Sequence, residues 1–286
     1  MLKKKSIPAR AWDFIKKLAN NKLSLTGLII VIILVFMTLL YPVICKYGYA
    51  EIDPINQFQA PNAEHLLGTD ALGRDMFSRI VYGARYSLSL GLSAEIMGLI
   101  MGIIFGLIAG YFGGWLDAVI LRICDIIQSI PNILLCICIS QVLGSGYFPT
   151  ILALSIAGTP QVVRLLRANI LSVREQEYIE AAHSINASNV RIMRRHILPN
   201  CFAPLLIQSS SGVGSKILTS ASLSFLGLGV QEPLPEWGAM LSAGKNFFRY
   251  YPHLVLVPGI FIAVAILSFN LFGDGMRDVL DPKLRS

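Results

Sequence analysis

The chain has 286 residues, of which 54% are hydrophobic and only 14% charged, and its formal net charge is +7. This composition excludes an ordinary soluble globular domain and indicates a protein surrounded by membrane lipid. The basic residues are dispersed between apolar stretches instead of forming one face with interleaved aromatic residues, which argues against nucleic acid as a partner.

Residues 1–22 form a lysine-rich N-terminal segment before the first long apolar stretch. Ala11, Phe14, Ile15 and Leu18 would share one face of a helix, with lysines on the other face. This pattern predicts a helix that lies on the cytoplasmic membrane surface.

Six apolar stretches are long enough to cross a bilayer as helices. They predict an all-α integral membrane protein, with one six-span domain over residues 23–286. Residues 48–85 and 230–252 would form outer loops, and 168–197 a cytoplasmic loop. The predicted spans are Leu23–Cys45, Tyr86–Tyr111, Ala118–Gln141, Pro149–Leu166, Leu198–Gly229 and Leu254–Phe272.

Lysine and arginine fall mainly on one side of this arrangement. They are dense before the first span, in the loop at 168–197 and in the C-terminal tail, whereas the other side carries fewer, offset by acidic residues. We therefore expect both termini and this loop to be cytoplasmic. The first span is too long for a cleavable signal peptide, and Lys46 and Tyr47 stand where small residues would be needed.

The segment before the second span predicts an amphipathic helix on the outer face. Thr69 would cap it, and Leu72, Met76 and Ile80 would align at four-residue spacing. Two ion pairs could form on its surface, Asp70 with Arg74 and Asp75 with Arg79.

Gly98, Gly102, Gly106 and Gly110 recur at four-residue intervals in the second span. Glycines at this spacing form a groove that lets another helix approach closely. The groove is interpreted as a packing surface, with a sliding surface between two conformations as the alternative.

Glu95 in the second span and Lys216 in the fifth are the ionisable residues set most deeply in apolar sequence. Charges at membrane depth are costly and usually face a cavity or a partner. Both residues could line a translocation path, pair with each other or pair with another subunit.

The sequence offers no motif that supports an enzyme, a metal site or a cofactor. Its cysteines and histidines are scattered along the chain. The stretch from Gly238 to Lys245 is the nearest approach to a phosphate loop, but five residues separate its glycines and Asn246 replaces Ser or Thr. We therefore expect the chain not to bind ATP itself.

A polar island interrupts the apolar sequence between the fourth and fifth spans. Glu177 and Glu180 suit the first turn of a short helix because negative charge favours a helix N-terminus. Asn186 tolerates the left-handed backbone of a joint, and Ser188 could cap the next helix. A short helix is poorly stable alone, so it is expected to dock on something. Its sequence also predicts a small apolar face, formed by Tyr178, Ala181, Ala182 and Ile185.

This island resembles the coupling loop of the permease subunits of ATP-binding-cassette importers. Their pattern is Glu-Ala-Ala, three residues, Gly, about ten residues and then Leu-Pro. The corresponding residues here are Glu180, Ala181, Ala182, Asn186 in place of Gly, Leu198 and Pro199. An ordinary solvated loop helix is the alternative interpretation of the segment.

Other stretches resemble the dipeptide, oligopeptide and nickel branch of these permeases. They are His65–Arg79, Ser224–Gly229, Pro235–Leu241 and Asn270–Asp278. One departure is that members often carry an acidic residue where Thr219 and Ser220 stand.

The resemblance implies the type I importer permease fold in a cell membrane. It also implies a second homologous permease, two cytoplasmic ATPase subunits and an external substrate-binding protein as partners. The cargo would be di- or oligopeptides, or alternatively nickel or a metal-metallophore complex. A self-contained secondary carrier and a purely structural membrane subunit are the competing classes, and a carrier would be expected to show inverted repeats.

Overall fold

The computed structural model describes residues 21–280, and over this range it is a bundle of helices. The described residues contain no β-structure beyond one isolated bridge between Thr69 and Asp75. The helices are α1 (Lys22–Leu39), α2 (Tyr41–Ile44), α3 (Met76–Phe112), α4 (Gly114–Ser129), α5 (Asn132–Leu143), α6 (Tyr147–Arg174), α7 (Glu177–Ser184), α8 (Asn189–Ile192), α9 (Leu198–Phe225), α10 (Trp237–Gly244) and α11 (His253–Leu280).

Three short turns complete the helical structure of the described residues. Pro54–Asn56 and Lys245–Phe247 are single 3₁₀ turns, and Met193–Ile197 is a π turn that joins α8 to α9. The predicted surface helix near the N-terminus lies outside the described residues, apart from its last positions.

Four helices, α1, α3, α6 and α11, are long and apolar enough to cross a membrane. The predicted third span is broken into α4 and α5, which meet at an angle of 93° and would together make a fifth. The break has a local cause, because the ring of Pro131 pushes Ile130 into extended backbone, with φ −96° and ψ 129°. The described spans therefore number four or five by this measure, against six expected.

The predicted fifth span forms α9, whose 28 residues are long enough to cross a bilayer. It is less apolar than the four helices named above, because serine, threonine and glycine recur along it and Lys216 lies in its second half. The helix is instead enclosed by its neighbours, and it packs against α3, α6 and α11. This arrangement packs a helix rich in small polar residues against three neighbouring helices.

The amphipathic helix expected to start at Thr69 is absent from the described structure, and that prediction was wrong. Thr69 lies in a loop, where its hydroxyl donates to the Asn56 carbonyl at 2.5 Å. Gly73 then reverses the chain with φ +74°, so close to Asp53 that no Cβ would fit. Helix α3 begins at Met76, capped by the Asp75 carboxylate.

The ion pair predicted between Asp70 and Arg74 exists, but it is buried instead of lying on the surface. Arg74 Nε lies 2.6 Å from Asp70 Oδ2, and its other nitrogen lies 2.9 Å from Glu232 Oε1. Arg79, only 2% exposed, reaches the same two carboxylates at 3.6 and 3.7 Å. These four residues, here called the outer arginine cluster because they lie in the two loops predicted to be outer, join the loop before α3 to the loop before α10. The predicted pair of Arg79 with Asp75 was wrong, because the Asp75 carboxylate instead lies 2.9 Å from the ring of His65.

Helix α3 packs along α6 through its glycine row. A Cβ placed on Gly102 would lie only 2.4 Å from Val162 Cβ, far inside normal contact distance. The backbones can therefore approach closely only because these side chains are hydrogens. The facing pairs are Gly98 with Ser155, Gly102 with Val162, Gly106 with Leu166 and Gly110 with Ile170.

Candidate functional site: a charged cavity and a short helix at one end of the bundle

Helix α7 is held on the bundle by its inward face. Ile179 and Ala182 are 1% and 5% exposed, and they pack in the core cluster that contains Ile170, Ile192 and Ile197. The short helix is therefore stabilised by burial, since eight residues would not hold a helix alone.

The joint after α7 has the backbone expected of it. Asn186 has φ +55°, in the left-handed region, and its N–H donates to the His183 carbonyl at 2.8 Å. Ser188 occupies the N-cap position of α8, but its side chain forms no capping hydrogen bond. Asn189 instead accepts a 2.8 Å hydrogen bond from the hydroxyl of Tyr111, at the end of α3.

The small apolar face of α7 is exposed over most of its area. Ala182, at the edge of that face, is buried, whereas Ala181 is exposed, Tyr178 is 43% exposed and Ile185 is 80% exposed. The face is therefore open to a partner except where Ala182 meets the bundle. Its exposed side chains, those of Tyr178, Ala181 and Ile185, are here called the outward face of α7.

The remaining residues of the coupling motif lie on both sides of this surface. Glu180 is exposed in the first turn of α7. Leu198 is half-buried at the start of α9, after the π turn, and Pro199 is exposed beside it. The motif thus brackets a helix–joint–helix unit at one end of the bundle.

Glu95 and Lys216 line one cavity of about 220 Å³ between α3, α6 and α9. Gly98, at the outer end of the glycine row, also lines it. The structure therefore brings the two predicted charges together, far along α3 from the coupling residues. Glycines 102, 106 and 110 lie on the packing surface with α6 and not on this cavity.

A second, wider groove of about 730 Å³ adjoins this cavity. Gly158, Gln161, Ser215 and Lys216 line both spaces, so the cavity and the groove are continuous. The bend between α4 and α5 forms one wall of the groove, and Thr219 lies on another. Apart from Lys216 its lining is neutral, and it mixes apolar residues with the polar side chains of Gln128, Asn132, Gln161, Ser215, Thr219 and Ser222.

Several polar contacts near the site have no counterpart in the sequence interpretation. Arg167 forms a two-point ion pair with Asp117, with both nitrogen–oxygen distances at 2.5 Å, and Arg164 pairs with Asp125. These pairs fasten α6 to α4 below the groove. Their partners are 50 and 39 residues apart, so no local signal in the sequence indicates them.

Comparison with known protein families gives two matches. Residues 102–286 match the family described as the binding-protein-dependent transport system inner membrane component. Residues 10–61 match the N-terminal transmembrane domain of oligopeptide transport permease C. Together the two matches cover most of the chain.

Curated relatives extend over nearly the whole chain. The dipeptide transport system permease protein DppC of Alkalihalophilus pseudofirmus is 47% identical over 271 residues, which cover 95% of this chain and 89% of that protein. The glutathione transport system permease protein GsiD of Escherichia coli O157:H7 is 41% identical, covering 96% and 90%. The di/tripeptide permease DppC of Pseudomonas aeruginosa is 39% identical, covering 98% and 94%.

Solved structures agree at the level of the fold. An inward-facing structure of the MetNI methionine ABC transporter matches with a TM-score of 0.57 at 19% identity, covering 71% of this chain and 97% of that chain. An amino acid ABC transporter matches with a TM-score of 0.54 at 18% identity, covering 68% and 91%. The chain is therefore an all-α membrane protein that belongs to the family of inner-membrane permease components of binding-protein-dependent ABC transport systems.

Proposed function

We propose that this chain is one of two permease subunits that enclose the path of an ATP-driven importer for di- or oligopeptides. The groove between α5, α6 and α9 carries the proposal, because six neutral polar side chains and one lysine on the wall of an apolar bundle have a cost that a path for a hydrated substrate explains. The names of the relatives support peptides as cargo, since they specify dipeptides, di- and tripeptides and glutathione.

The shape of the groove supports a second homologous permease as partner. Within the described residues, its walls come from α4, α5, α6 and α9, and it is open on the remaining side. A path for a polar molecule has to be closed against lipid all round. A similar subunit, facing this one, would complete the wall.

The outward face of α7 supports contact with a cytoplasmic ATPase subunit. Tyr178 and Ile185 expose apolar surface on a short helix that is fixed to the bundle on its other side. A rigid helix of this kind can transmit a push to α3, α6 and α9. ATP hydrolysis would then take place on two partner subunits, and cargo would arrive on an external binding protein.

The orientation follows the same proposal. The arginines around α7 and α8 and the basic tail would face the cytoplasm, together with both termini, in a cell membrane. The outer arginine cluster, at the opposite end of the bundle, would then face the side from which the binding protein delivers its cargo.

The test is uptake by the complete transporter reconstituted in liposomes with its binding protein. We expect accumulation of a labelled dipeptide that requires both ATP and the binding protein. A transporter in which this chain carries Lys216→Gln, a change inside the groove, should take up less than the wild type. A wild-type transporter that accumulates nickel or a metal chelate but no peptide would contradict the proposed cargo, and uptake without ATP would indicate a secondary carrier.

A further inference from the structure

Glu95 and Lys216 place opposite charges on the wall of one cavity. Glu95 reaches it from α3 and is 7% exposed, and Lys216 reaches it from α9. The ion pairs formed by the described residues do not join them. The two charges therefore share the cavity without neutralising each other by direct contact.

Each charged group lies directly against a glycine of a neighbouring helix. A Cβ on Gly158 of α6 would lie 2.1 Å from Lys216 Nζ. A Cβ on Gly212 of α9 would lie 2.5 Å from the carboxylate oxygens of Glu95. Even an alanine at either position would displace the charged group. The two glycines thus fix where the charges stand, a role unlike that of the glycine row on α3.

Lys216 has hydrogen-bonding capacity to spare. Its ammonium donates one hydrogen bond, at 2.8 Å, to the Leu154 carbonyl, which anchors the group on α6. An ammonium carries three donors, so two are left for a molecule in the cavity. On the other side of the cavity, the carboxylate of Glu95 can accept several hydrogen bonds.

We propose that Glu95 and Lys216 form a two-point site for the free ends of a peptide. The Glu95 carboxylate accepts from the α-ammonium, and the Lys216 ammonium donates to the α-carboxylate. This inference rests on the proposed function and adds that the permease itself recognises the main-chain ends of its cargo.

The surroundings of the two charges fit such a site. Gln161, Gln208 and Ser211 line the same cavity and offer neutral hydrogen-bonding groups to a peptide bond. Because the cavity is continuous with the wider groove, peptide side chains of different size have room outside it. The site would recognise the two charged ends that all such peptides share, and it would not discriminate between their side chains.

The test measures binding to the assembled membrane complex in lipid nanodiscs, without the binding protein, so that only the permease site is sampled. The ligands are the dipeptide Ala-Phe, its C-terminal amide and its N-acetyl form. For the wild type we expect each cap to weaken binding by about 10- to 100-fold, because each removes a charge-assisted hydrogen bond. In the Lys216→Gln variant the amide cap should no longer weaken binding, whereas the acetyl cap still should. In the Glu95→Gln variant the acetyl cap should no longer weaken binding, whereas the amide cap still should.

The glycines provide a second set of variants that leaves both charges in the chain. Gly158→Ala should reduce the effect of the amide cap, and Gly212→Ala that of the acetyl cap. Gly259→Ala is the matched control, because a Cβ there would meet only ordinary contact at 3.9 Å. A purely structural role would not produce this end-specific pattern.

Three outcomes would overturn the proposal. The first is that the wild type binds capped and free peptides equally. The second is that it fails to bind the free dipeptide at millimolar concentration. The third is that each charge variant becomes insensitive to both the amide cap and the acetyl cap. Uptake assays with the binding protein separate this failure from that of the proposed function. If the wild type takes up peptide but the caps do not affect binding as described, only the two-point site is overturned. If the wild type takes up no peptide, the proposed function itself is overturned.

Discussion

The hydroxyl of Tyr111 donates a 2.8 Å hydrogen bond to the side-chain oxygen of Asn189. Tyr111 is the penultimate residue of α3, and Asn189 is the first of α8, just after the joint at Asn186. The bond therefore connects the glycine-lined helix, which carries Glu95, directly to the unit that holds the outward face of α7. A displacement of that unit would reach the cavity along α3.

Tyr111→Phe removes this hydrogen bond and leaves the ring in place. We expect a loss of stability of about 0.5–1.5 kcal/mol, and a lower ratio of peptide transported to ATP hydrolysed. Both quantities can be measured in the reconstituted transporter and by its thermal midpoint in detergent. Tyr250→Phe, at a 75% exposed outer position, is the control. An unchanged ratio would show that motion passes through other contacts.

Ala181 and Ala182 allow the two faces of α7 to be tested separately. Ala181→Asp adds a charge to the outward face, so the chain should remain folded but lose the partner ATPase and peptide uptake. Ala182→Asp buries an unpaired charge, which costs several kcal/mol, so the chain itself should be destabilised. Pull-down of the ATPase and melting of the purified chain distinguish these effects. If Ala181→Asp retained both ATPase and uptake, α7 would be an ordinary loop helix.

Gly102→Ala tests the contact between α3 and α6. The added methyl group would overlap Val162, and overpacking typically costs about 1–3 kcal/mol. Gly259→Ala should instead be neutral or slightly stabilising, because alanine favours a helix by about 1 kcal/mol over glycine and has space there. The measurement is the thermal midpoint of each variant, which should be lower for Gly102→Ala than for Gly259→Ala. Equal midpoints would mean that the row is not tightly packed.

The proposed orientation can be checked with single thiols in a cysteine-free chain. Asn62 and Ser188 are both exposed, at opposite ends of the bundle. A membrane-impermeant thiol reagent added to intact cells should label Asn62→Cys. It should label Ser188→Cys only after the membrane is permeabilised. Labelling of Ser188→Cys alone in intact cells would invert the topology.

The sequence predicted the helical class and the left-handed joint because both depend on local features. Apolar length marks most of the spans, and Asn186 is a residue type that tolerates positive φ. It placed the start of α3 wrongly, since Thr69 is a good capping residue whose hydroxyl is used by a distant loop. It also missed the break at Pro131, where apolar composition continues through the bend.

The sequence indicated the charged residues of the candidate site but not the glycines that contact them. Glu95 and Lys216 stood out because charge is rare in apolar segments, and the structure supplies their shared cavity. Gly158 and Gly212 could not be recognised, because their role depends on side chains that reach them from another helix. Burial on α7 was likewise set by packing against α6 and α9, which a single helix pattern does not encode.

The outer arginine cluster also constrains how the chain is assembled in the membrane. Arg74 and Glu232 are 158 residues apart, so Glu232 is synthesised only after most of the helices. Until then, Arg74 and Arg79 have Asp70 as their shared carboxylate, leaving one positive charge unmatched. The outer end of α3 therefore reaches its final, neutral packing late in biogenesis, when the loop before α10 folds back over it.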